Sequence, residues 1–338
     1  MSKTGMESGK TIDGLIAAGA FIQTQPDDLM AALHRTEINN PWFTQLESLR
    51  MLDSMCTKLL AADALQAWIA QYNTNPASPK TIGLVLAGNV PFVGMHDLIC
   101  VLASGHNAKI KLSSKDMFFF PWLKQVLVKI NADFEQRIQF VDKLENFDAV
   151  IATGSNNSAR YFEYYFGKYP HIIRKNRTSV AILTGNETEE QLNNLGKDVF
   201  YYYGLGCRNV GKVFIPEEFD KQLLFKFWED YRYVTDNTKF KNNYDYNRAL
   251  LLLNSTNYLT NDFYMLVDSN ELFSPLSVLY CETYKSEQDL QEKLDIILPD
   301  LQCIVAAAPG NTTFGQTQYP GLSDYADHVD TMAFLTAL

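Results

Sequence analysis

Apolar residues in the first quarter of the chain recur at helical intervals. PDDLMAALHR and FTQLESLRMLDSMCTKLLAADALQAWIAQY place them three and four positions apart, which predicts helices through most of residues 1–75. Pro26 followed by Asp27 and Asp28 marks a helix start. NTNPASPK is a turn-rich joint, and beyond it the pattern changes. TIGLVLAG, NAKIKLS, RIQFVD, FDAVIATGS and TSVAILTGN are short apolar runs that read as buried strands. Between them NVPFVGMHDLICVLASG reads as a loop and helix, and FFFPWLKQVLVKINADF and NNSARYFEYYFGKY read as helices. This alternation predicts an α/β fold with a doubly wound parallel sheet over residues 1–184.

A second α/β unit is expected over residues 185–310. It opens with ETEEQLNNLGKDVFYYYGLGC, a helix running into a glycine-flanked cysteine. KVFIP, a helix around KQLLFKFWEDYRYV, and the strands RALLLLN, LFSPLSVLYCETY and LQCIVAAAPG follow. Residues 311–338 then close the site, their apolar end TMAFLTAL reading as an edge or inter-subunit strand, which suggests a homo-oligomer.

Composition narrows the function. A formal charge of −10 over 338 residues argues against general affinity for nucleic acid or anionic membranes. No apolar run approaches the ~20 residues that span a bilayer, and the N-terminus lacks the pattern of a signal peptide. Cys56, Cys100, Cys207, Cys281 and Cys303 are widely spaced, with no CxxC interval, so neither a zinc site nor a disulfide framework is written here. His34, His96, His106, His171 and His328 have no metal-ligand spacing either. A cytoplasmic protein with reduced thiols and no metal is expected.

Three places can carry chemistry. Cys207 sits in GLGCRNVG, where Gly204 and Gly206 permit unusual backbone and the Arg208 cation favours a thiolate; the plain alternative is a small buried hydrophobe. Asn89, in the turn GNVP after a strand, can donate to a developing oxyanion or simply form the turn. The strand ends NAKIKLSSKD, with Lys109, Lys111, Ser113, Ser114 and Lys115, and ATGSNNSAR, with Gly154 and Ser155, suit phosphate and ribose. Neither is a GxGxxG fingerprint. The absence of GxSxG argues against an α/β-hydrolase.

Taken together these segments resemble the aldehyde dehydrogenase superfamily, and within it the acyl-CoA reductases of the bioluminescence fatty-acid-reductase (LuxC) type. The resemblance runs in order from about residue 80, through GNVPFVG, ASGHNAKIKLSS, ATGS, GLGC, ELFSPLSVLY and FGQTQYPGLSDYADHVDT. It implies a Rossmann-like cofactor domain and an α/β catalytic domain, with Cys207 as nucleophile and Asn89 as oxyanion donor. It places Lys111 and Ser114 near the adenosine ribose, Gly154 and Ser155 near the pyrophosphate, Glu271 on the nicotinamide ribose and Phe273 beside the ring. Phe314 and Arg208 would line the substrate side.

Two departures from the family pattern shape the expected reaction. Aldehyde-oxidising members carry a general-base glutamate on the strand before the nucleophile; the matching stretch here is IIRKNRTSVAIL, and the position falls near Arg174. Without that carboxylate, water is poorly activated to hydrolyse a thioester, which favours reduction of an acyl thioester to an aldehyde. Arg174, Lys175 and Arg177 are then candidates for CoA phosphates. At Ser114, NAD-using members often have a carboxylate; Ser114 beside Lys115 would tolerate a 2′-phosphate, so NADPH is expected, with NADH the alternative. The acyl group would come from acyl-CoA or an acyl-protein, supplied by an acyltransferase or acyl-activating partner protein. The competing readings are an aldehyde-oxidising dehydrogenase, an acyl-phosphate reductase, a cysteine acyltransferase or thioesterase without a redox step, and a non-catalytic descendant.

Overall fold

Residues 3–74 and 76–338 are described by a computed structural model; Met1 and Ser2, at the start of the expected cofactor domain, and Asn75, within the expected joint, lie outside the described residues. The chain divides into two units, residues 1–176 with 319–338, and residues 177–318. The first opens with four helices, α1 (Lys3–Gln23), α2 (Asp27–Asn39), α3 (Gln45–Ser54) and α4 (Ala62–Ile69), with a π-helical turn at Met55–Leu59. In α2 the acidic first turn suits the helix dipole, and Leu29, Ala32, Leu33 and Thr36 make one buried stripe at i, i+3, i+4 and i+7.

A parallel five-stranded sheet follows, with β1 (Thr81–Val85), β2 (Asn107–Lys111), β3 (Ile138–Phe140), β4 (Ala149–Thr153) and β5 (His171–Arg174). Helices α5 (Met95–Ala103), α6 (Phe119–Ile130), α7 (Phe134–Arg137) and α8 (Asn156–Phe166) connect them. The spatial order is β3-β2-β1-β4-β5. The chain winds outward from β1 to β3, then returns to pair β4 on the other side of β1. That reversal makes the carboxyl ends of β1 and β4 the topological switch point, where open α/β sheets bind ligands.

The second unit holds β6 (Thr178–Ile182), α9 (Glu189–Phe200), β7 (Val210–Pro216), α10 (Gln222–Phe227) and α11 (Thr238–Leu253). It continues with β8 (Leu259–Thr260), β9 (Met265–Asp268), β10 (Val278–Tyr284), α12 (Glu287–Ile297) and β11 (Leu301–Val305). Its sheet runs β11-β6-β7-β10-β9-β8, parallel except for the β8–β9 pair. Helix α9 has a capping box between Thr188 and Gln191 and buries Leu192, Leu195, Gly196 and Val199 on one stripe.

Four expectations are corrected. The first unit ends at Asn176, not at residue 184, because β6 bonds to β7 and β11 in the second sheet. RALLLLN is the end of α11 rather than a strand, with Leu252 61% and Leu253 80% exposed; an apolar run alone does not separate helix from buried strand. Residues 311–318 stay with the second unit while 319–338 return to the first. There the apolar tail is a helix, Thr331–Thr336, not a strand. Asp330 caps it by accepting from the Ala333 N–H at 2.8 Å, and Met332 and Leu335 are fully buried one turn apart.

The tail is fixed by a buried ion pair. Arg174, at the end of β5, donates to Asp97 of α5 at 2.6 Å and to the Thr331 hydroxyl at 3.0 Å. Both charged residues are under 6% exposed, so removing one strands the other in the interior. Arg174→Met is expected to cost about 3–5 kcal/mol in a urea melt, with Asp97→Leu/Arg174→Met recovering much of the loss.

Candidate active site

In the first unit the loops that follow β1, β2 and β4 gather at the carboxyl edge of the sheet. Asn89 is exposed in the loop after β1. One residue earlier a Cβ on Gly88 would collide with Ser113 Oγ and lie 2.9 Å from Lys115 Cβ, so only glycine lets the two loops meet. Phe92 closes the same loop with φ +55°, and its N–H donates to Asp116 Oδ2 at 2.8 Å. Asp116 is 1% exposed, and its Oδ1 has no hydrogen-bond partner among the described residues. Burial pushes its carboxyl from 3.8 up to about 7, against the Phe92 N–H that draws it down.

Lys111 and Ser114 are exposed at the end of β2, and the Ser114 carbonyl accepts from Asn39 Nδ2 at 2.9 Å. Lys109 is spent within the fold, donating at 2.8 Å to the carbonyls of Glu145 and Asn146. After β4, Gly154 leads to Ser155, the N-cap of α8, whose Oγ accepts from the Ser158 N–H at 3.2 Å. The first unit therefore assembles Asn89, Lys111, Ser114, Gly154 and Ser155 on neighbouring strand ends.

In the second unit α9 runs straight into the cysteine turn. Tyr202, Tyr203 and Gly204 follow it with φ of +53°, +57° and +76°. Two consecutive non-glycine residues in the left-handed region cost roughly 1–2 kcal/mol each, a strain that persists only where the surroundings impose it. Asn209 imposes it. Its Nδ2 donates to the carbonyls of Asp198 (3.0 Å), Val199 (3.4 Å) and Tyr201 (2.9 Å), and its Oδ1 accepts from the Gly206 N–H at 2.8 Å. The same amide thus caps the helix and ties down the residue before Cys207. Ser179 of β6 donates to the Cys207 carbonyl at 3.1 Å, and Cys207 itself is half-buried.

The other expected residues of this unit lie on two segments tied to this turn or to α9. Leu276 Cδ1 would lie 3.8 Å from a Cβ on Gly204, so the 269–277 loop reaches the turn. That loop exposes Glu271 and Phe273 on either side of buried Leu272. The segment holding Phe314 is bound to α9 through Asp198, a fully buried residue. Its carboxylate accepts from the Gly315 N–H at 2.6 Å, and from the Thr317 N–H at 3.0 Å and hydroxyl at 2.8 Å. Burial pushes Asp198 up to about 6, opposed by these donors.

The folds of solved aldehyde dehydrogenases superpose on the chain. A putative aldehyde dehydrogenase from Anabaena variabilis matches with a TM-score of 0.65 at 15% identity, covering 89% of this chain and 75% of its own. The aldehyde dehydrogenase 21 of Physcomitrella patens in complex with succinate matches at 0.62 and 13%, covering 89% and 74%. An NAD+ complex of a Mycobacterium tuberculosis aldehyde dehydrogenase matches at 0.63 and 12%, covering 90% and 74%. The chain has the aldehyde dehydrogenase fold. No protein-family model and no curated protein sequence matches it.

Within this aldehyde dehydrogenase fold two expected substrate-side cations are placed elsewhere. Arg174 is the buried partner of Asp97, which corrects its assignment to CoA phosphates. Arg177 donates to the carbonyls of Pro299 and Leu301; Lys175 stays exposed. Arg208 Nη1 donates to Cys303 Sγ at 3.4 Å, and Phe314 is 7% exposed. Asp116, Asp198, Asn209 and Lys212 escaped the sequence reading. Asn209, two residues past the cysteine, was the one with a signal: an amide beside a helix end and a glycine turn.

Asp116 yields a signed pH prediction. Its folded carboxyl keeps its proton to higher pH than the unfolded one, so the folded state binds more protons between about pH 4 and 7. Stability then falls as pH rises through that window. In denaturant melts wild type is expected to lose up to about 4 kcal/mol relative to Asp116→Asn between pH 4 and 8. Parallel curves for the two proteins would remove Asp116 as the titrating group.

Proposed function

We propose that the protein is an NADPH-dependent acyl-CoA reductase that carries the acyl group on Cys207. The observation that carries this reading is Arg174. By the resemblance the general-base carboxylate of aldehyde-oxidising members falls near this position, in a stretch without any carboxylate, and here the Arg174 side chain is a cation neutralised by Asp97. An acyl group on Cys207 lacks the activated water that would hydrolyse it, so discharge by reduction is favoured.

The residues at the strand ends fit a nicotinamide cofactor. Gly88 leaves space where any Cβ would collide, Gly154 and the N-terminus of α8 offer backbone amides to a pyrophosphate, and Lys111 and Ser114 are exposed beside them. No carboxylate stands at Ser114, and Lys115 follows it exposed, which favours a 2′-phosphate over a free ribose hydroxyl pair. Glu271 would hold the nicotinamide ribose and Phe273 would flank the ring. When bound, the reduced cofactor supplies the hydride equivalent.

The chain's own part is nucleophilic. The Cys207 thiolate adds to the thioester carbonyl, the carbon–sulfur bond to CoA breaks, and the CoA thiolate leaves and takes a proton. Asn89 is assigned to the oxyanion of that addition. After reduction at the acyl carbon the bond to Cys207 breaks, the aldehyde departs and the thiolate is restored. The balance is one acyl-CoA, one NADPH and one proton consumed for one aldehyde, one CoA and one NADP+.

Intact mass after incubation with a long-chain acyl-CoA tests the reading. An adduct is expected on wild type but not on Cys207→Ala, and NADPH should discharge it with aldehyde release. Asn89→Ala should slow acylation by about 10²–10³-fold with an unchanged melting curve. An adduct that NADPH does not discharge would leave a transferase or thioesterase. No adduct, together with aldehyde-dependent reduction of NAD(P)+ without CoA, would make the protein an aldehyde oxidiser, the activity named for its structural neighbours.

A further inference from the structure

Lys212, in the middle of β7, is 1% exposed. Burying an ammonium costs several kcal/mol unless every N–H finds an acceptor. An ammonium has three donors and no acceptor, and Lys212 has three oxygens around it. Nζ donates to the Asn270 carbonyl at 3.0 Å and to the Glu271 carbonyl at 3.0 Å, and it forms an ion pair with Glu282 of β10. The Phe214 ring lies 5.2 Å away, two residues along the same strand. The other Glu282 oxygen pairs with Lys293 of α12 at 2.9 Å. With acceptors on every side the nitrogen has nothing to abstract a proton from, so a general-base or Schiff-base role does not fit.

What the cation holds is specific. Successive carbonyls of an extended chain point in opposite directions, yet those of Asn270 and Glu271 converge on one nitrogen. The backbone therefore bends around the ammonium at the residue assigned to the nicotinamide ribose. Ser269 Oγ accepts from the Glu271 N–H at 3.1 Å, and buried Leu272 anchors the far side among Val180, Phe214, Leu294 and Leu301. Of these three restraints only Lys212 binds the Glu271 carbonyl.

We propose that Lys212 is a positioning residue for the reductive half of the reaction, fixing the Asn270–Glu271 bend so that Glu271 and Phe273 are set for the nicotinamide end of the cofactor. This rests on the reductase reading. It predicts that the two half-reactions separate, because acylation of Cys207 needs no nicotinamide.

The test measures, on the full chain, acylation by acyl-CoA without cofactor and then discharge by NADPH, for wild type, Lys212→Met and Lys212→Arg. Lys212→Met is expected to acylate within about threefold of wild type and to discharge about 10²-fold more slowly, the size of effect that an ångström of misplacement brings. Lys212→Arg, which keeps the charge and the donors, should recover most of the discharge rate. Amide hydrogen exchange supplies a readout independent of turnover: Lys212→Met should lose protection at 269–273 and keep it at 204–210. Discharge at the wild-type rate, or loss of both half-reactions together with protection at both segments, overturns the proposal. A wild type that acylates without discharging overturns the reductase reading, and the role of Lys212 with it.

Discussion

Two carbonyl oxygens left over at the end of α9, and that of Tyr201 just past it, converge on one side-chain amide, that of Asn209, and the cysteine turn is organised around that meeting. A helix ends with four carbonyls that lack intrahelical partners. Most helices satisfy them with water or a glycine cap, but here the chain must bend through Tyr202 and Tyr203 in the left-handed region before it reaches Cys207. Asn209 resolves both demands. Its two N–H donors take the carbonyls, and its oxygen takes the Gly206 amide from the other side of the turn. The half-buried thiol is thus set by a strained backbone that one buried residue holds in place.

The same device recurs with charged side chains. Asp116 takes the Phe92 amide, Asp198 takes those of Gly315 and Thr317, and Lys212 takes the carbonyls of Asn270 and Glu271. Each is buried, and each bonds to the backbone of a loop that carries an expected site residue: Asn89, Phe314 or Glu271. A buried charge is costly, and replacing it by an apolar residue often costs the fold little when its partner goes too. Where the partner is a backbone group it cannot be removed, so the buried polar side chain is retained as the cause of the loop's conformation. Arg174 differs in donating to side chains, Asp97 and Thr331, and so fixes the C-terminal helix rather than a loop.

The sequence carried the fold well where period and burial agree. The strands TIGLV, NAKIK and AVIAT, the stripe of α2 and the capping-box start of α9 all follow from local pattern. It misled where a continuous apolar run had no period of its own, as at the end of α11 and in the C-terminal helix. The unit boundary was illegible for a different reason. Strand β6 looks like its predecessors, and only its partners, β7 and β11, assign it to the second sheet.

The candidate site divided along the same line. Residues expected to face a ligand could be named because their types suggest chemistry: a cysteine after two glycines, an asparagine or serine at a strand end. Residues that hold those in place could not, since Asp116, Asp198 and Lys212 read locally as surface charges. Long-range pairing is what makes them informative: Asp198 meets Thr317 119 positions away, and Lys212 meets Glu271 59 positions away. Arg174 is the instructive reversal. Its charge suggested a phosphate ligand, and its burial beside Asp97 makes it part of the fold instead. A cation read locally as a ligand contact is, through a partner 77 positions away, a structural one.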